Sequence, residues 1–334
     1  MALLDVSVKI QLSKPVGAAG TWFPCLYVIA ADASSDVYKE YRSLADMATD
    51  YAETTDAYKA ASLIFQQDNA PDRVAVLKQS AFSADTFRDY LNKGWRQLVP
   101  VGTNEKITEM ATYIASTDKM LFVTMSDKSE FSTTSASAAT KKFNNDRMLI
   151  VYHDTEPNAA AAVVGATAGL KAGSFTYKNI IVKGVNAVDI SDTDLEDIHK
   201  LGAITILEKA GDIVTSEGKV TSDEYADIID SKDYVIQNIA YKTQKVLNNN
   251  NKVAYTDAGI GLLETATLEA LVDGYNNGMI ADKEDGTPDY SVSFALRSQT
   301  TATDRASRKY PYGRFAFALA GAIHTAEING EVTL

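Results

Sequence analysis

"RMLIVYHDTEPNAAAAVVGATAGL", residues 147–170, decides the fold class. Arg147 to His153 is an apolar run of strand length. "DTEP" breaks it with turn residues. "NAAAAVVGATAGL" then reads as a helix whose alanines permit close packing. Strand, turn and helix in that order is half of a β-α-β unit.

The same rhythm continues toward the N-terminus. "KMLFVTMS" predicts a strand at Met120 to Met125, and "ASAATKKFNND" after it a helix or turn. "NEKITEMATYIAST" predicts a helix with Ile107, Met110, Ala111 and Ile114 on one face. "SADTFRDYLNKGWRQLVPVG" predicts a helix at Thr86 to Leu98. "PDRVAVLKQ" reads as a short strand through Val74, Val76 and Leu77. "YRSLADMATDYAETTDAYKAASLIFQQ" carries Leu44, Met47, Tyr51, Tyr58, Ala61 and Ile64 at helical spacing. "CLYVIA", residues 25–30, reads as a buried strand. The fold class that follows is α/β, mixed with α+β, around a mainly parallel or mixed sheet.

Beyond Ile180 the character drifts. "KNIIVKGVNAVDIS" predicts a strand and a turn. "DTDLEDIHKLG" predicts a short helix whose acidic first turn suits its dipole. "AITILEKAGDIVTSEGKVT" holds two β-rich runs joined at Gly211. A long helix follows, with Tyr225, Ile228, Ile229, Val235, Ile236, Ile239 and Val246 as its stripe. "TDAGIGLLETATLEALVDGYNNGMI" is another helix. "EDGTPDYSVSFALRS" gives a turn and a strand, "TTATDRASRKYPYG" a polar loop, and a last strand starts near Arg314.

Both ends alternate. Leu4, Val6, Val8 and Ile10 oppose Asp5, Ser7, Lys9 and Gln11. Phe315, Phe317 and Leu319 are expected to share one buried face, and Ile328, Val332 and Leu334 to anchor the end. A terminus is the loosest part of a domain unless something ties it down. An end strand can pair with an open sheet edge of its own domain or of a neighbour. Subunits that exchange end strands make a chained polymer rather than a closed dimer.

Composition excludes several classes. The 334 residues carry 44 acidic against 32 basic side chains, a net charge of -12, which argues against a surface made for nucleic acid. The lone Cys25 permits no internal disulfide and, among apolar neighbours, reads as a buried thiol. "MALLDVSVKIQ" is not a secretory signal, and "AAAAVVGATAGLKAG" is interrupted by Lys171 too soon to span a membrane. The expectation is a soluble protein made in a reducing compartment.

Reactive clusters are missing too. His153, His199 and His324 stand far apart, without HExxH or CxxC. "YHDTE" offers His153, Asp154 and Glu156, either as a solvated loop or as an unfamiliar enzyme site. The acidic run from Asp282 fails as a calcium loop, because its twelfth position is Ser293. Gly165, Gly169 and Gly173 are spaced by four, unlike a dinucleotide fingerprint, and no GxxxxGK[ST] or GxSxG occurs. No catalytic, cofactor-binding or metal residue is assigned. Arg305, Arg308, Lys309 and Arg314 form a dense basic patch, either a solvated loop or a contact with an acidic partner surface.

Four stretches taken in order carry a resemblance. They are "YRSLADMATDYAETTDAYKAASLIFQQDNAPDRVAVLK", "RMLIVYHDTEPNAAAAVVGATAGLKAGSFTYKNIIVKGV", "YVIQNIAYKTQKVLNNNNKVAYTDAGIGLLETATLEALVDGYNNGMI" and "GRFAFALAGAIHTAEINGEVTL". Together the chain resembles a contractile tail sheath protein of a bacteriophage or related tail-like particle. The resemblance implies a structural subunit, with no cofactor, that polymerises as stacked six-membered rings around an inner tail tube. Contraction would drive the tube through the target envelope.

It also implies a division into an N-terminal arm and linker at 1–20, an α/β region at 21–175 that includes any outward-facing domain, a conserved sheath domain at 176–321 and a C-terminal arm at 322–334. The conserved domain would join N- and C-terminal parts of the chain. The arms would add strands to neighbours through Leu4, Val6, Val8 and Ile10 and through Ile323, Ile328, Val332 and Leu334. Partners would be further copies, the tube protein, and baseplate and terminator proteins, with no nucleic acid bound directly and no membrane insertion. The location would be the tail sheath of a virion, assembled in the host cytoplasm. The chain is short for this family, so any outer domain is expected to be small or absent. The rival readings are a soluble α/β enzyme with a site near His153, or another tail structural subunit.

Overall fold

A computed structural model of the chain describes residues 22–102, 106–127 and 143–324. They form a mixed α/β fold around an eight-stranded sheet. Its strands are β1 (Pro24–Ile29), β2 (Val37–Tyr41), β3 (Val74–Gln79), β4 (Gln97–Val101), β5 (Met120–Met125), β6 (Met148–Tyr152), β7 (Ala203–Lys209) and β8 (Asp212–Thr215). Their order is β2-β3-β1-β4-β5-β6-β7-β8. Every pairing from β3 across to β7 is parallel, and β2 and β8 join antiparallel at the edges. Strands on both sides of residue 175 therefore belong to one sheet.

A parallel sheet must be covered on both faces, and alternation along each strand supplies both. Leu26, Val76, Val99, Phe122 and Leu149 face α2 (Asp56–Phe65) and α5 (Ala159–Ala168). Tyr27, Leu77, Leu98, Leu121 and Ile150 face α3 (Ala84–Phe87), α4 (Ile107–Ile114) and α6 (Asp192–Lys200). Cys25 lies on this second face, fully buried, and burial pushes its thiol far up.

All ten residues of α5 are buried. Its glycines let it lie almost on its neighbour. A Cβ at Gly165 would sit 2.5 Å from Ile64 Cα, and one at Gly169 2.3 Å from the Asn69 carbonyl oxygen. A first-turn N–H of α5 is satisfied from the sheet, where Ala160 N donates to Thr124 Oγ1 at 2.9 Å.

Four expectations are corrected. The helix expected from Leu44 to Ile64 is two pieces, α1 (Leu44–Met47) and α2, because Thr55 caps a fresh start by accepting from Tyr58 N. The strand before it, β2, is an edge strand that buries only Tyr41, and so its polar sequence looks like a loop. The helix expected over Thr86–Leu98 stops at Phe87, tightens into a 3-10 turn over Arg88–Lys93 and ends at Gly94, φ 92°. "QLVPV" after it is β4, whose pairing with β5 stops at Leu98, before Pro100 with its missing N–H. The strand expected after Lys178 is reduced to a single bridge between Ile181 and Val214. The polar loop at 300–313 contains the short helix α9 (Ala302–Ala306).

The rest of the chain builds a smaller module. Two long helices, α7 (Ala226–Asn249) and α8 (Asp257–Asn276), pack on each other through Val235, Ile239, Ala270 and Leu271. A two-stranded sheet of β9 (Tyr290–Phe294) and β10 (Gly313–Phe317) rests on them. The strand reading over Leu4 to Ile10, most of "ASAATKKFNND", and Ile328, Val332 and Leu334 lie outside the described residues.

Candidate functional site

The two-stranded sheet is antiparallel, with Val292 opposite Phe315 and Tyr290 opposite Phe317. These four side chains share one face, packed on the helix pair beside Met279 and Ile280. The rings of Phe315 and Phe317 stack 6.3 Å apart. Phe315, Phe317 and Leu319 were expected to be buried, but they are half-buried, because a sheet this narrow leaves its own flanks open. Ser291, Ser293, Arg314 and Ala316 occupy the wet face. Among the described residues, no third strand pairs with either edge.

The module is fastened to the large sheet by a buried charge cluster. Arg96 and Arg147 precede β4 and β6. Asp230 and Asp233 are three apart on α7, and so face the same way. Arg96 Nη2 donates to Asp230 Oδ1 at 2.5 Å, and Nη1 lies 2.7 Å from Asp233 Oδ2. Arg147 grips the same Asp233 with both terminal nitrogens. Tyr177 donates its hydroxyl to Asp230 Oδ2 at 2.8 Å. The Trp22 ring covers the Arg96 guanidinium at 4.6 Å, and Trp22 Nε1 donates to Gln237 Oε1 at 3.1 Å.

Arg96 is 1% exposed. Burial alone would lower the pKa of its guanidinium, but Asp230 and Asp233 outweigh burial and hold it above its ordinary value. Burial pushes Asp233 up, and the two arginines more than reverse that, so its carboxyl ends below the usual range. Asp227, three residues before Asp230 on the same helix, has no arginine partner among the described residues. Its Oδ1 is buried without a hydrogen bond, and burial raises its pKa. Sequence reasoning missed this cluster. The signal was present, because Asp227, Asp230 and Asp233 interrupt the apolar stripe of α7 at regular spacing.

The other candidates separate. His153 is 1% exposed rather than part of a solvated loop. Its Nδ1 accepts from Thr155 N and Glu156 N, and its Nε2 meets the Asn186 carbonyl at 3.0 Å. Both nitrogens are used by backbone, which is turn-holding geometry rather than that of a base facing substrate. His199 bonds to Ser216 Oγ at 2.8 Å, and burial lowers its pKa. No group of three metal-ligating side chains gathers among the described residues. Within the basic patch, Arg305 is consumed locally, donating to the Thr300 carbonyl at 2.5 Å. Arg308, Lys309 and Arg314 are exposed and make no salt bridge with described residues. Ile323 is 89% exposed. Leu4, Val6, Val8 and Ile10 and the last three arm residues, Ile328, Val332 and Leu334, fall outside the described chain.

No family model matches the sequence, and no curated protein does. Solved structures do match in fold. The anti-feeding prophage baseplate, six-fold symmetrised, aligns over 100% of both chains with 14% identity and a TM-score of 0.70. The sheath complex of the PVC extracellular contractile injection system, in its contracted state, covers 99% of this chain and 98% of its own at 12% identity and a TM-score of 0.72. A sheath tail protein from Listeria innocua covers 84% and 89% at 10% identity and a TM-score of 0.58. The chain thus has the mixed α/β fold of contractile sheath proteins.

Proposed function

We propose that this chain is the structural subunit of a contractile tail sheath. It polymerises as stacked six-membered rings around an inner tube and shortens to drive that tube through a target envelope. The observation that carries the reading is the two-stranded sheet. It has an apolar face already seated on α7 and α8, and two edges without partners among the described residues. Such edges are templates for added strands. The alternating segments at 1–20 and 322–334 are the strands we assign to them, contributed by neighbouring copies. The whole-chain likeness in fold to sheath proteins supports the same reading.

On this reading the work is mechanical and no side chain is catalytic. Bodies move as units while exchanged strands hold the lattice. The partners are further copies, the tube, and the baseplate and terminator proteins, and the place is the sheath of a virion or tail-like particle assembled in the host cytoplasm. Arg308, Lys309 and Arg314 offer charge to an acidic partner surface.

Negative-stain microscopy over a range of protein and salt concentration tests this. Wide hollow cylinders of six-fold rings are expected, from the chain alone or with tube protein added. A chain lacking residues 322–334 should keep its far-UV circular dichroism and stay monomeric. Normal cylinders from that truncation would sink the strand-exchange reading.

A further inference from the structure

The chain leaves its last strand in an unusual way. Ala318 and Ala320 are still tied to the small module, through Ala318 N to the Asp289 carbonyl at 2.9 Å and Ala320 N to the Met279 carbonyl at 3.0 Å. Residues 321–323 then run exposed. His324 is turned back in. Its side chain is 12% exposed, and Glu217 beside it is 13% exposed. His324 Nε2 lies 2.9 Å from Thr176 Oγ1. Nδ1 approaches Glu217 Oε1 at 3.2 Å but off the hydrogen-bond axis. The Tyr225 ring meets the imidazole edge-on at 4.8 Å between centroids. Lys178 holds Glu217 from the far side at 3.1 Å.

Two of the three partners, Thr176 and Glu217, lie outside the module that the chain has just left, and the third, Tyr225, is the residue that caps the start of α7. Glu217 follows β8 of the large sheet, and Thr176 lies on the segment after α5. The chain is therefore fixed at two points, one on each module, with three exposed residues between them. Burying an imidazole among polar side chains is unfavourable unless its nitrogens find partners. A side chain placed only by chance at the end of an exposed run would stay in water.

We propose that Thr176, Glu217 and Tyr225 form a socket for His324, and that His324 pins the root of the C-terminal arm to the large sheet of its own subunit. The arm then leaves from a set point and in a set direction, whatever the two-stranded sheet is doing. His324 is a positioning residue for strand exchange, which makes this inference rest on the sheath reading above.

Hydrogen exchange on the full chain tests the pin itself. In His324→Ala, amides between 318 and 324 should exchange at least tenfold faster, while those of β6 and β7 keep their protection. His324→Gln can still reach Thr176 and should restore most of the difference. If His324→Ala loosens the whole molecule, Thr176→Val decides instead, because it removes the socket's partner and leaves the arm untouched. Equal protection of 318–324 in wild type and both variants overturns the proposal. Where wild type forms cylinders, His324→Ala should nucleate them at least fivefold more slowly, and unchanged nucleation counts against a role in exchange. Wild type that never assembles, even with tube, strikes the sheath reading, and the exchange result alone then judges the pin.

Discussion

The large sheet and the small one solve the same problem to different extents. The large sheet has helices on both faces, and its edges are managed. Exposed charged residues such as Lys39 and Glu40 line β2, and the chain around Ile181 bridges to β8. The small sheet has one face covered, two edges unpaired by described residues, and aromatic side chains left half in water. A sheet of two strands is marginal by itself. The contrast separates a sheet that is covered and closed off from one that, on the proposed reading, receives strands from other copies.

The largest break in that contrast should come at the joint. Arg96→Ala leaves Asp230 and Asp233 buried with only Arg147 and Tyr177 for company, and removing one partner of a buried pair costs about 3–5 kcal/mol. Urea denaturation should show that loss. A change under 1 kcal/mol would mean that the cluster adds little to stability. Next, Gly165→Val forces a side chain into the Ile64 backbone, and overpacking of this kind costs about 1–3 kcal/mol. It should lower the melting temperature of the large sheet without altering assembly by the chains that remain folded.

Phe317→Ala acts on the other side. Full burial would make it worth about 3–5 kcal/mol, and half-burial reduces that to roughly 1–2. Its assembly defect should exceed its stability defect, measured by light scattering against thermal melting. The smallest effect distinguishes two acids on one helix. The Asp233 carboxyl is lowered from 3.8, so the stability it contributes is present above that pH and is lost as the pH falls below it. The Asp227 carboxyl is raised from 3.8, so stability is lost as the pH rises from that value toward the folded one, and the full penalty stands above it. Asp227→Asn should therefore stabilise slightly at neutral pH, and Asp233→Asn should destabilise there and flatten the acid limb of a stability–pH curve. The same sign for both variants at pH 7 would contradict the assignment.

Periodicity made much of the large sheet legible. "MLFVTM", "MLIVY" and the Ala-rich helix could be read because a buried strand or helix must be apolar for most of its length. The misses have local causes. Val37–Tyr41 is polar because one neighbour suffices for an edge strand. The first two residues of Gln97–Val101 were absorbed into a helix expected to run to Leu98, because the stop at Gly94, in a left-handed turn, was passed over. The functional region was half legible. The strand at Gly313–Phe317 could be seen, but its half-burial depends on what else joins the sheet. The charge cluster and the His324 socket were not legible, since their members come from stretches as distant as Arg96 and Asp233, or Thr176 and His324, and only the folded chain brings them together.

Trp22 has one more consequence, which concerns time. Its indole waits for Gln237, 215 residues further along the chain, before it can be seated. The parallel strands, by contrast, find partners at most 73 residues away, as Pro24 does opposite Gln97. During synthesis the large sheet can close while the ribosome is still working, and the lid over Arg96 can settle only after α7 has emerged. β9 and β10 come later still. Among the described residues, the sheet with unpaired edges is thus the last part of the fold to be completed.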